Sequence, residues 1–509
     1  MSFDPNARDL RIGIVGTGTM GRGIAQIAAA AGVTVLMADA RAGAAEEAAA
    51  ALAETFDKLA ARGKMSAVEA SAARDRLRPV PMGSPAFADC AAVVEVVVED
   101  LDVKRALFQD LEGVVSDACV LATNTSSLSV TALAAACRRP ERVVGFHFFN
   151  PVPLMKIVEV APGILTDPAV TEAMAGLGRR MGHTVAVTKD TPGFLVNHAG
   201  RGYGTEALRI AGEGVASYAD IDRVLTGAPG FRMGPFELLD LIGIDVSHAV
   251  MESIYTQFLH EPRYRPSVIT RQLVSAGTLG RKTGRGFYLY QDGKPALPAE
   301  PPVPDGEPLP LWISRRNPDG AALLTERLSA AGVPLDMGER PASGSICVVA
   351  PLGEDASTAA LAEGLDPART VAVDTLFGLD RRRTLMTTPI TDPAIRDAAH
   401  RALAADGVPV TVIRDSAGFI AQRVVATIVN IGCDIAQQRI ASPEDIDRAV
   451  PLGLGYPHGP LAFGDRLGPQ RVLAVLDAIH AFTGDPRYRP SPWLKRRALL
   501  GVGLATPEA

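Results

Sequence analysis

The sequence lacks the features that mark secreted, metal-binding or membrane proteins. It has only five cysteines in 509 residues, and they are scattered with no CxxC pair. This argues against a disulfide framework and a zinc site and favours a reduced compartment. No apolar run approaches the roughly 18 residues of a membrane-spanning helix, and the N-terminal stretch has no signal-peptide core. We therefore expect a cytoplasmic protein without a metal or a membrane partner.

An excess of positive charge is also absent. The formal net charge is -6, and the 47% apolar and 21% charged residues are ordinary for a globular protein. Nothing in this balance indicates a surface for nucleic acid or anionic lipid. At roughly 100 to 200 residues per domain, the length predicts three or four domains.

The N-terminal segment has the pattern of a dinucleotide-binding unit. A short apolar strand runs into GTGTMG (16–21), and an alanine-rich helix, a second strand and Asp39 follow. Gly16 permits the tight turn, Gly18 lets the backbone approach a pyrophosphate, and Gly21 allows close packing of helix on strand. The helix N-terminus adds amide donors. Asp39 is placed to bind a ribose diol, which predicts NAD in preference to NADP.

The stretch RVVGFHFFNPVPLMKIVEV (142–160) brings a histidine and a carboxylate to adjacent strands. A strand at 142–148 ends near His147, the step at Asn150 forces a turn, and Glu159 lies on the next strand at 155–160. A carboxylate among valines is costly to bury unless it is paired, and an imidazole is a suitable partner. Taken alone, the pair is more typical of core or surface residues than of a catalytic dyad.

Other polar residues follow predicted strands in the same half. A buried strand at 91–98 ends at Glu99, Lys104 lies on the next helix, and NTSS (124–127) follows a further strand. Ligands of open α/β sheets bind outside the carboxyl ends of the strands, which places Glu99, Ser126 and His147 along one rim. The hydroxyl cluster is also typical of a helix cap.

Helices dominate after residue 189. DTPGF (190–194) predicts a boundary with Thr191 as an N-cap, and a helix at 194–211 carries Asn197 in its first turn. An earlier helix at 46–77 carries Arg62 and two lysines. Such a basic run is usually a solvated face, although it would also suit an anionic substrate group.

The second half repeats the helical segment of the first. DTPGF (190–194) returns as DSAGF, DIDR (220–223) as DIDR and GP (234–235) as GP, all offset by 225 residues. The segment upstream of the second copy is shorter and has no GxGxxG. The counterparts of the polar residues differ, with Asp374 for His147, Thr384 for Glu159 and Gln422 for Asn197. We expect a structural role for the second copy.

The predicted fold is an α/β Rossmann domain followed by an all-α domain, then a reduced Rossmann-like unit and a second copy of the all-α domain. The expected boundaries are 1–188 for the NAD-binding domain, 189–290 for the helical substrate domain, 291–310 for a proline-rich linker, 311–413 for the reduced Rossmann unit and 414–509 for the second helical domain. We expect the second helical domain to pack on the first.

With these motifs assembled, the chain resembles the L-3-hydroxyacyl-CoA dehydrogenase family of fatty acid β-oxidation. The resemblance rests on GTGTMGRGIAQIAA (16–29), NTSSL (124–128), HFFNPVPLMKIVEV (147–160), DTPGFLVN (190–197), GPFELLDLIG (234–243) and GRKTGRGFY (280–288). The tandem layout is similar to the phenylacetate-catabolism type, which acts on 3-hydroxyadipyl-CoA.

The resemblance implies roles for particular residues. The implied catalytic residues are His147, Glu159, Ser126 and Asn197. The implied NAD contacts are Gly16, Gly18, Thr19, Met20, Gly21, Asp39, Glu99, Lys104, Ser126, Asn150 and Lys282. Thr55 and Arg62 match positions that contact CoA, although the family more often has lysine at the latter. The stretches VNHAGRGY (196–203) and GFRMGPFELL (230–239) depart from the family pattern, and Arg201 and Arg232 within them are candidate partners for a substrate carboxylate.

The resemblance implies NAD-dependent oxidation of an L-3-hydroxyacyl-CoA thioester to the 3-oxoacyl-CoA, with His147 as the general base oriented by Glu159. The alternatives are a 3-hydroxybutyryl-CoA or general β-oxidation substrate, another NAD-dependent hydroxyacid dehydrogenase in which lysine replaces the dyad, and a non-catalytic dinucleotide- or CoA-binding protein. A homodimer is compatible with the resemblance.

Overall fold

The computed structural model describes residues 3–508. They form two compact units: one comprises the chain up to His198 together with Gln438–Leu454, and the other comprises Ala199–Gln437 and the chain from Gly455 onward. Across residues 3–508, no helix has the length and apolar character needed to cross a bilayer.

The strands of the described chain form two large sheets and one hairpin. They are β1 (Arg11–Val15), β2 (Thr34–Ala38), β3 (Leu77–Pro79), β4 (Ala92–Glu95), β5 (Val120–Thr123), β6 (Val143–Phe148), β7 (Ile157–Pro162), β8 (Thr184–Val187), β9 (Tyr290–Gln291), β10 (Lys294–Pro295), β11 (Leu311–Ile313), β12 (Leu335–Asp336), β13 (Ile346–Val349), β14 (Thr370–Val373), β15 (Arg383–Thr387) and β16 (Val410–Ile413).

The helices alternate with the strands around each sheet and otherwise follow one another. They are α1 (Thr19–Ala30), α2 (Ala44–Ala61), α3 (Ala67–Asp75), α4 (Leu101–Glu112), α5 (Val130–Ala134), α6 (Pro168–Arg180), α7 (Val196–Ala199), α8 (Arg201–Gly212), α9 (Tyr218–Gly227), α10 (Pro235–Ile242), α11 (Ile244–Gln257), α12 (Val268–Ser275), α13 (Pro318–Ala330), α14 (Ala356–Ala362), α15 (Pro393–Leu403), α16 (Ile420–Gln437), α17 (Pro443–Leu454), α18 (Pro460–Leu467), α19 (Pro469–Thr483) and α20 (Pro492–Leu500).

The first unit is built on an eight-stranded sheet in the order β3-β2-β1-β4-β5-β6-β7-β8. All neighbouring strands are parallel except β6 and β7, which are antiparallel. The strands are almost continuously apolar and buried, as expected when helices cover both faces of a sheet. Helix α17 belongs to this unit and packs against β7 and β8. The antiparallel pair carries the dyad, because His147 lies directly opposite Glu159.

The second unit contains most of both helical segments, without α17, and a six-stranded sheet in the order β12-β11-β13-β14-β15-β16. This sheet repeats the antiparallel pair of the first, here between β14 and β15. Helix α8 of the first helical segment packs against α16 of the second. Two Rossmann-like sheets and a helical segment, which the sequence predicted, are therefore confirmed.

The structure corrects several predicted element boundaries. The helix predicted at 46–77 is two helices, α2 and α3, because Gly63 adopts a left-handed conformation and Ser66 caps a new helix with a capping box. The strand predicted at 91–98 ends at Glu95, so Glu99 lies in the loop before α4 and not at a strand end. The hairpin β9–β10 occupies the start of the predicted linker.

The helix predicted at 194–211 starts later and is interrupted. Helix α7 begins at Val196 and ends at Ala199, and after Gly200 helix α8 begins at Arg201. The expected cap residue Thr191 does not cap it, because its hydroxyl donates to the carbonyls of Lys189 and Phe194. The backbone amides at this helix start donate instead to Glu159 on β7.

Candidate active site

The centre of the candidate site is His147, which is bonded through both ring nitrogens. Its Nδ1 lies 2.6 Å from Oε2 of Glu159, and its Nε2 lies 3.0 Å from Oγ of Ser126. His147 and Glu159 are 2% and 0% exposed, so the pair is shielded from water. Because a carboxylate only accepts, Nδ1 carries the proton and Nε2 is the basic nitrogen that faces Ser126. The three side chains form a chain able to accept one proton at Nε2.

The second oxygen of Glu159 fixes the start of helix α7. Its Oε1 accepts from the backbone nitrogens of Leu195 at 2.9 Å and Val196 at 2.8 Å. These amides have no partner within their own helix, and the carboxylate satisfies them. The single side chain of Glu159 therefore orients His147 with one oxygen and positions the start of α7 with the other. Helix α7 carries half-buried Asn197.

Ser126 is held by Glu99 through the loop that contains it. A single oxygen of Glu99, Oε1, accepts from Oγ1 of Thr125 at 2.6 Å, the nitrogen of Ser126 at 2.9 Å, and the nitrogen and Oγ of Ser127 at 3.1 and 3.0 Å. Burial opposes ionisation, but the hydrogen bond from Thr125 and the charge of Lys104 outweigh it and lower the pKa of Glu99. Glu99 thus lies next to the serine of the candidate site.

Glu95 is a site residue that sequence reasoning missed. Its Oε1 receives the ammonium of Lys104 at 2.6 Å and its Oε2 receives Oγ1 of Thr123 at 2.7 Å, with both charged groups buried. The ammonium also lies 3.4 Å from Oε2 of Glu99. The argument that singled out Glu159 applies equally to Glu95, a carboxylate in the apolar run AAVVEVVV. Lys104 therefore bridges Glu95 on β4 and Glu99, which holds the loop that carries Ser126 (residues 124–127, the serine loop).

The glycine loop fits a dinucleotide. Gly16 has a φ of +102°, and a Cβ there would lie 2.5 Å from the carbonyl oxygen of Val96, so only glycine suits the turn. A Cβ at Gly18 would meet nothing within 4 Å, which leaves open space beside the N-terminus of α1. Thr19 and Met20 form the first turn of that helix, and a Cβ at Gly21 would clash with the carbonyl of Gly16. The residues present thus suit a pyrophosphate.

Asp39 lies at the carboxyl end of β2 and contacts the glycine loop. Its Oδ2 accepts from the nitrogen and Oγ1 of Thr17 at 2.7 and 2.8 Å, and its Oδ1 accepts from the nitrogen of Arg41 at 3.0 Å. Burial would raise its pKa, but these hydrogen bonds prevail and lower the pKa of Asp39. Asp39 is thus an anion at the edge of a cavity of about 290 Å³ that Gly18 also lines.

A second cavity, of about 380 Å³, brings together three of the expected ligand contacts. Thr19, Thr55 and Asn150 all line it. Arg62 is the C-cap residue of α2, exposed and outside the lining of this cavity. Thr55, one of the two residues that match CoA contacts, therefore lines the same cavity as Thr19, which follows the glycine loop.

Three residues considered from the sequence lie in the other unit. Lys282 pairs with Asp245, its Nζ lying 2.6 Å from Oδ1. Arg201 begins α8. The side chain of Arg232 passes beside Gly455. The roles expected for these three residues stay predictions.

The counterpart of the dyad in the second sheet has different chemistry. Asp374 lies opposite Thr384, as His147 lies opposite Glu159, and Nε2 of Gln422 donates to Oδ1 of Asp374 at 3.0 Å. Burial raises the pKa of Asp374 to about 6. No imidazole stands at this position, which supports a structural role for the second copy. Across residues 3–508, no group of three or more His, Cys, Asp or Glu side chains is arranged to hold a metal ion.

Comparison with known protein families gives two matches. Residues 11–191 match the family described as "3-hydroxyacyl-CoA dehydrogenase, NAD binding domain". Residues 193–290 and 418–508 both match "3-hydroxyacyl-CoA dehydrogenase, C-terminal domain". The second match independently detects the duplicated helical segment.

Individual relatives cover either nearly all of this chain or about half of it. A 3-hydroxyadipyl-CoA dehydrogenase of Escherichia coli K12 is 37% identical over 97% of this chain and 98% of its own. A 3-hydroxybutyryl-CoA dehydrogenase of Bradyrhizobium diazoefficiens is 39% identical over 56% of this chain and 97% of its own. A crystal structure of 3-hydroxybutyryl-CoA dehydrogenase from Escherichia coli K12 superposes with a TM-score of 0.83 at 35% identity, covering 97% of this chain and 99% of its own.

Proposed function

As this chain belongs to the 3-hydroxyacyl-CoA dehydrogenase family, we propose that it oxidises L-3-hydroxyadipyl-CoA to the 3-oxo thioester with NAD, and that His147 is the general base. The observation that carries the mechanism is the hydrogen-bonded chain from buried Glu159 through buried His147 to half-buried Ser126. A hydride leaves C3 readily only when the hydroxyl proton is withdrawn as the carbonyl forms. Nε2 of His147 receives that proton.

Glu159 has two functions in this mechanism. It keeps the proton of the neutral imidazole on Nδ1, and its charge favours the imidazolium that forms during the reaction. Ser126 and Asn197 position the substrate oxygen. Bound NAD supplies the hydride acceptor, and the glycine loop and Asp39 would hold it. Burial of the dyad excludes water, which strengthens each of these electrostatic interactions.

The substrate assignment rests on the full-length relative whose name specifies 3-hydroxyadipyl-CoA. A shorter chain such as 3-hydroxybutyryl-CoA is the second candidate, because a full-length structure at 35% identity carries that name. Rates of NADH formation with adipyl, butyryl and long-chain 3-hydroxyacyl-CoA thioesters decide between them. We expect the highest kcat/KM with the adipyl thioester, and a preference for the butyryl one would overturn the assignment.

The first prediction concerns the base. His147→Gln should lower kcat by about 10² to 10⁴-fold while NADH binding is largely kept, since the variant loses the proton acceptor but not the glycine loop. Stopped-flow or steady-state NADH formation measures the first quantity, and a fluorescence titration with NADH measures the second.

The duplicated sheet supplies a matched control. Asp374→Asn changes the residue at the corresponding position of the second sheet and should leave kcat within about twofold. Near-normal turnover in His147→Gln would refute the role of His147. Binding of NADH without turnover on every thioester in the wild type would favour the non-catalytic alternative.

A further inference from the structure

The charges around the Asp39 cavity do not by themselves exclude NADP. Arg22 and Arg41 both line this cavity together with Asp39 and Gly18. An arginine near the ribose is what accommodates a 2′-phosphate in Rossmann domains that use NADP. A carboxylate disfavours that phosphate, but the two arginines provide opposing positive charge. The selectivity of the cavity therefore depends on whether either guanidinium is available.

Glu47 occupies the guanidinium of Arg41. Nη1 of Arg41 donates to Oε1 of Glu47 at 3.0 Å, and Nη2 donates to Oε2 at 2.5 Å. This bidentate arrangement uses both terminal nitrogens of the fork that would otherwise face a phosphate. The hydrogen bond with Glu47 raises the pKa of Arg41, and the same bond lowers the pKa of Glu47, so both groups are ionised.

The position of Glu47 in the sequence makes this pairing favourable. It lies in the first turn of α2, where the positive end of the helix dipole stabilises a carboxylate. Arg41 is restrained from its backbone as well, because its nitrogen donates to Asp39. Glu47 itself lines the cavity, so a second negative charge stands close to Asp39.

We propose that Glu47 determines cofactor selectivity by holding Arg41 in a bidentate ion pair, which keeps its guanidinium from the 2′-phosphate of NADP. The residue thus does more than stabilise a surface helix. Both side chains are more than half exposed, and an exposed pair contributes little to folding stability. Variants at this pair should therefore fold, which makes the proposal open to a direct test.

The test measures binding of NADH and NADPH to Glu47→Gln by fluorescence titration, which does not depend on turnover or on the acyl substrate. We expect the ratio of the two dissociation constants to shift toward NADPH by about tenfold or more, because Arg41 is released to form charge-assisted bonds with the phosphate. Binding of NADH should change by no more than about threefold.

Two further variants complete the test. Glu46→Gln removes the same charge from the same helix turn without freeing Arg41, and should leave the ratio unchanged. Arg41→Ala combined with Glu47→Gln should abolish the gain. The proposal is overturned if Glu47→Gln leaves the ratio within twofold of the wild type, if Glu46→Gln matches it, or if the double variant keeps the gain, which would assign the phosphate to Arg22. Failure of the proposed oxidation would appear separately, as wild-type protein that binds NADH without oxidising any thioester.

Discussion

At the scale of the residue, single carboxylates connect side chains of the candidate site to the backbone. Glu159 bonds His147 with one oxygen and two amides of the 195–196 segment with the other. Glu99 gathers four donors on one oxygen and approaches Lys104 with the second. Such charge-assisted bonds are roughly twice as strong as neutral ones, so each carboxylate fixes a loop as well as a side chain.

Replacement of Glu99 tests whether this anchoring supports catalysis. Glu99→Gln turns an amide toward Lys104 and weakens the bonds to the serine loop, so we expect kcat to fall roughly 10- to 100-fold, as misplacement of reacting groups does. Steady-state kinetics with varied NAD separates the effects. A raised KM for NAD with unchanged kcat would instead assign Glu99 to cofactor binding alone.

We also expect Glu99→Gln to change how the stability of the protein depends on pH. Hydrogen bonds hold the pKa of Glu99 below its ordinary value of 4.5. The carboxylate therefore stabilises the fold above the pKa of the unfolded state, and this contribution is lost as the pH falls through the lower, folded pKa. The difference in Tm between wild type and Glu99→Gln should be constant near neutral pH and shrink in acid. Asp102→Asn, at an exposed carboxylate three residues on, is the control and should leave Tm at neutral pH close to that of the wild type.

At the scale of the element, an aspartate caps a helix in each half of the molecule. Asp190 accepts from the nitrogens of Val130 and Thr131 at the start of α5. Asp415 accepts from the nitrogens of Ala356 and Ser357 at the start of α14. The first residue of the repeated motif thus performs the same task in both copies. Only α5 directly follows the loop that carries Ser126.

This duplication allows a matched pair of variants. Asp190→Ala and Asp415→Ala each remove an acceptor for two helix amides, at a cost of about 1 kcal/mol or more, so both should lower Tm by about 2–4 °C. Differential scanning calorimetry measures this effect. Only Asp190→Ala should also lower kcat, because the serine loop precedes its helix. Equal activity losses in both variants would show that the effect is global.

At the scale of the whole molecule, helices α8 and α16 of the two helical segments pack against each other within the second unit. Helix α8 approaches α16 closely at Gly202, where a Cβ would lie 3.1 Å from the backbone of Ile428. Fully buried Glu206 receives Arg423 at 2.8 Å and the hydroxyl of Tyr488 at 2.7 Å. The sequence RYRP occurs at 263–266 and again at 487–490, and these two turns contact each other, as Arg263 donates to the carbonyl of Arg489. The homodimer considered from the sequence stays a prediction.

The last prediction concerns the buried ion pair between Arg423 and Glu206. Arg423→Met leaves the charge of Glu206 in the interior with weaker compensation, and loss of one partner of a buried pair typically costs about 3–5 kcal/mol. We expect a clearly lower Tm for thermal unfolding of the second unit, which contains this ion pair. Arg448→Met removes an exposed arginine that pairs with exposed Glu444 and half-buried Asp445, and should change stability by less than about 1 kcal/mol. A similar small effect in both variants would contradict the importance of the buried pair.

The sequence by itself determined the features that depend on local pattern. The glycine loop, Asp39, the alternation of strands and helices, the repeat and the identities of His147 and Glu159 all follow from residue types at short spacings, because backbone conformation and amphipathic period are local properties. The four-domain division also came from such patterns and stays a proposal.

Only the tertiary structure decided which distant groups satisfy one another. The second oxygen of Glu159 bonds amides 36 and 37 residues away, and Lys104 is buried on Glu95 and not exposed for solvent. The start of α7 at Val196 follows from the first contact. Buried polar groups must find partners wherever the fold brings them, and no local pattern records which partner that is.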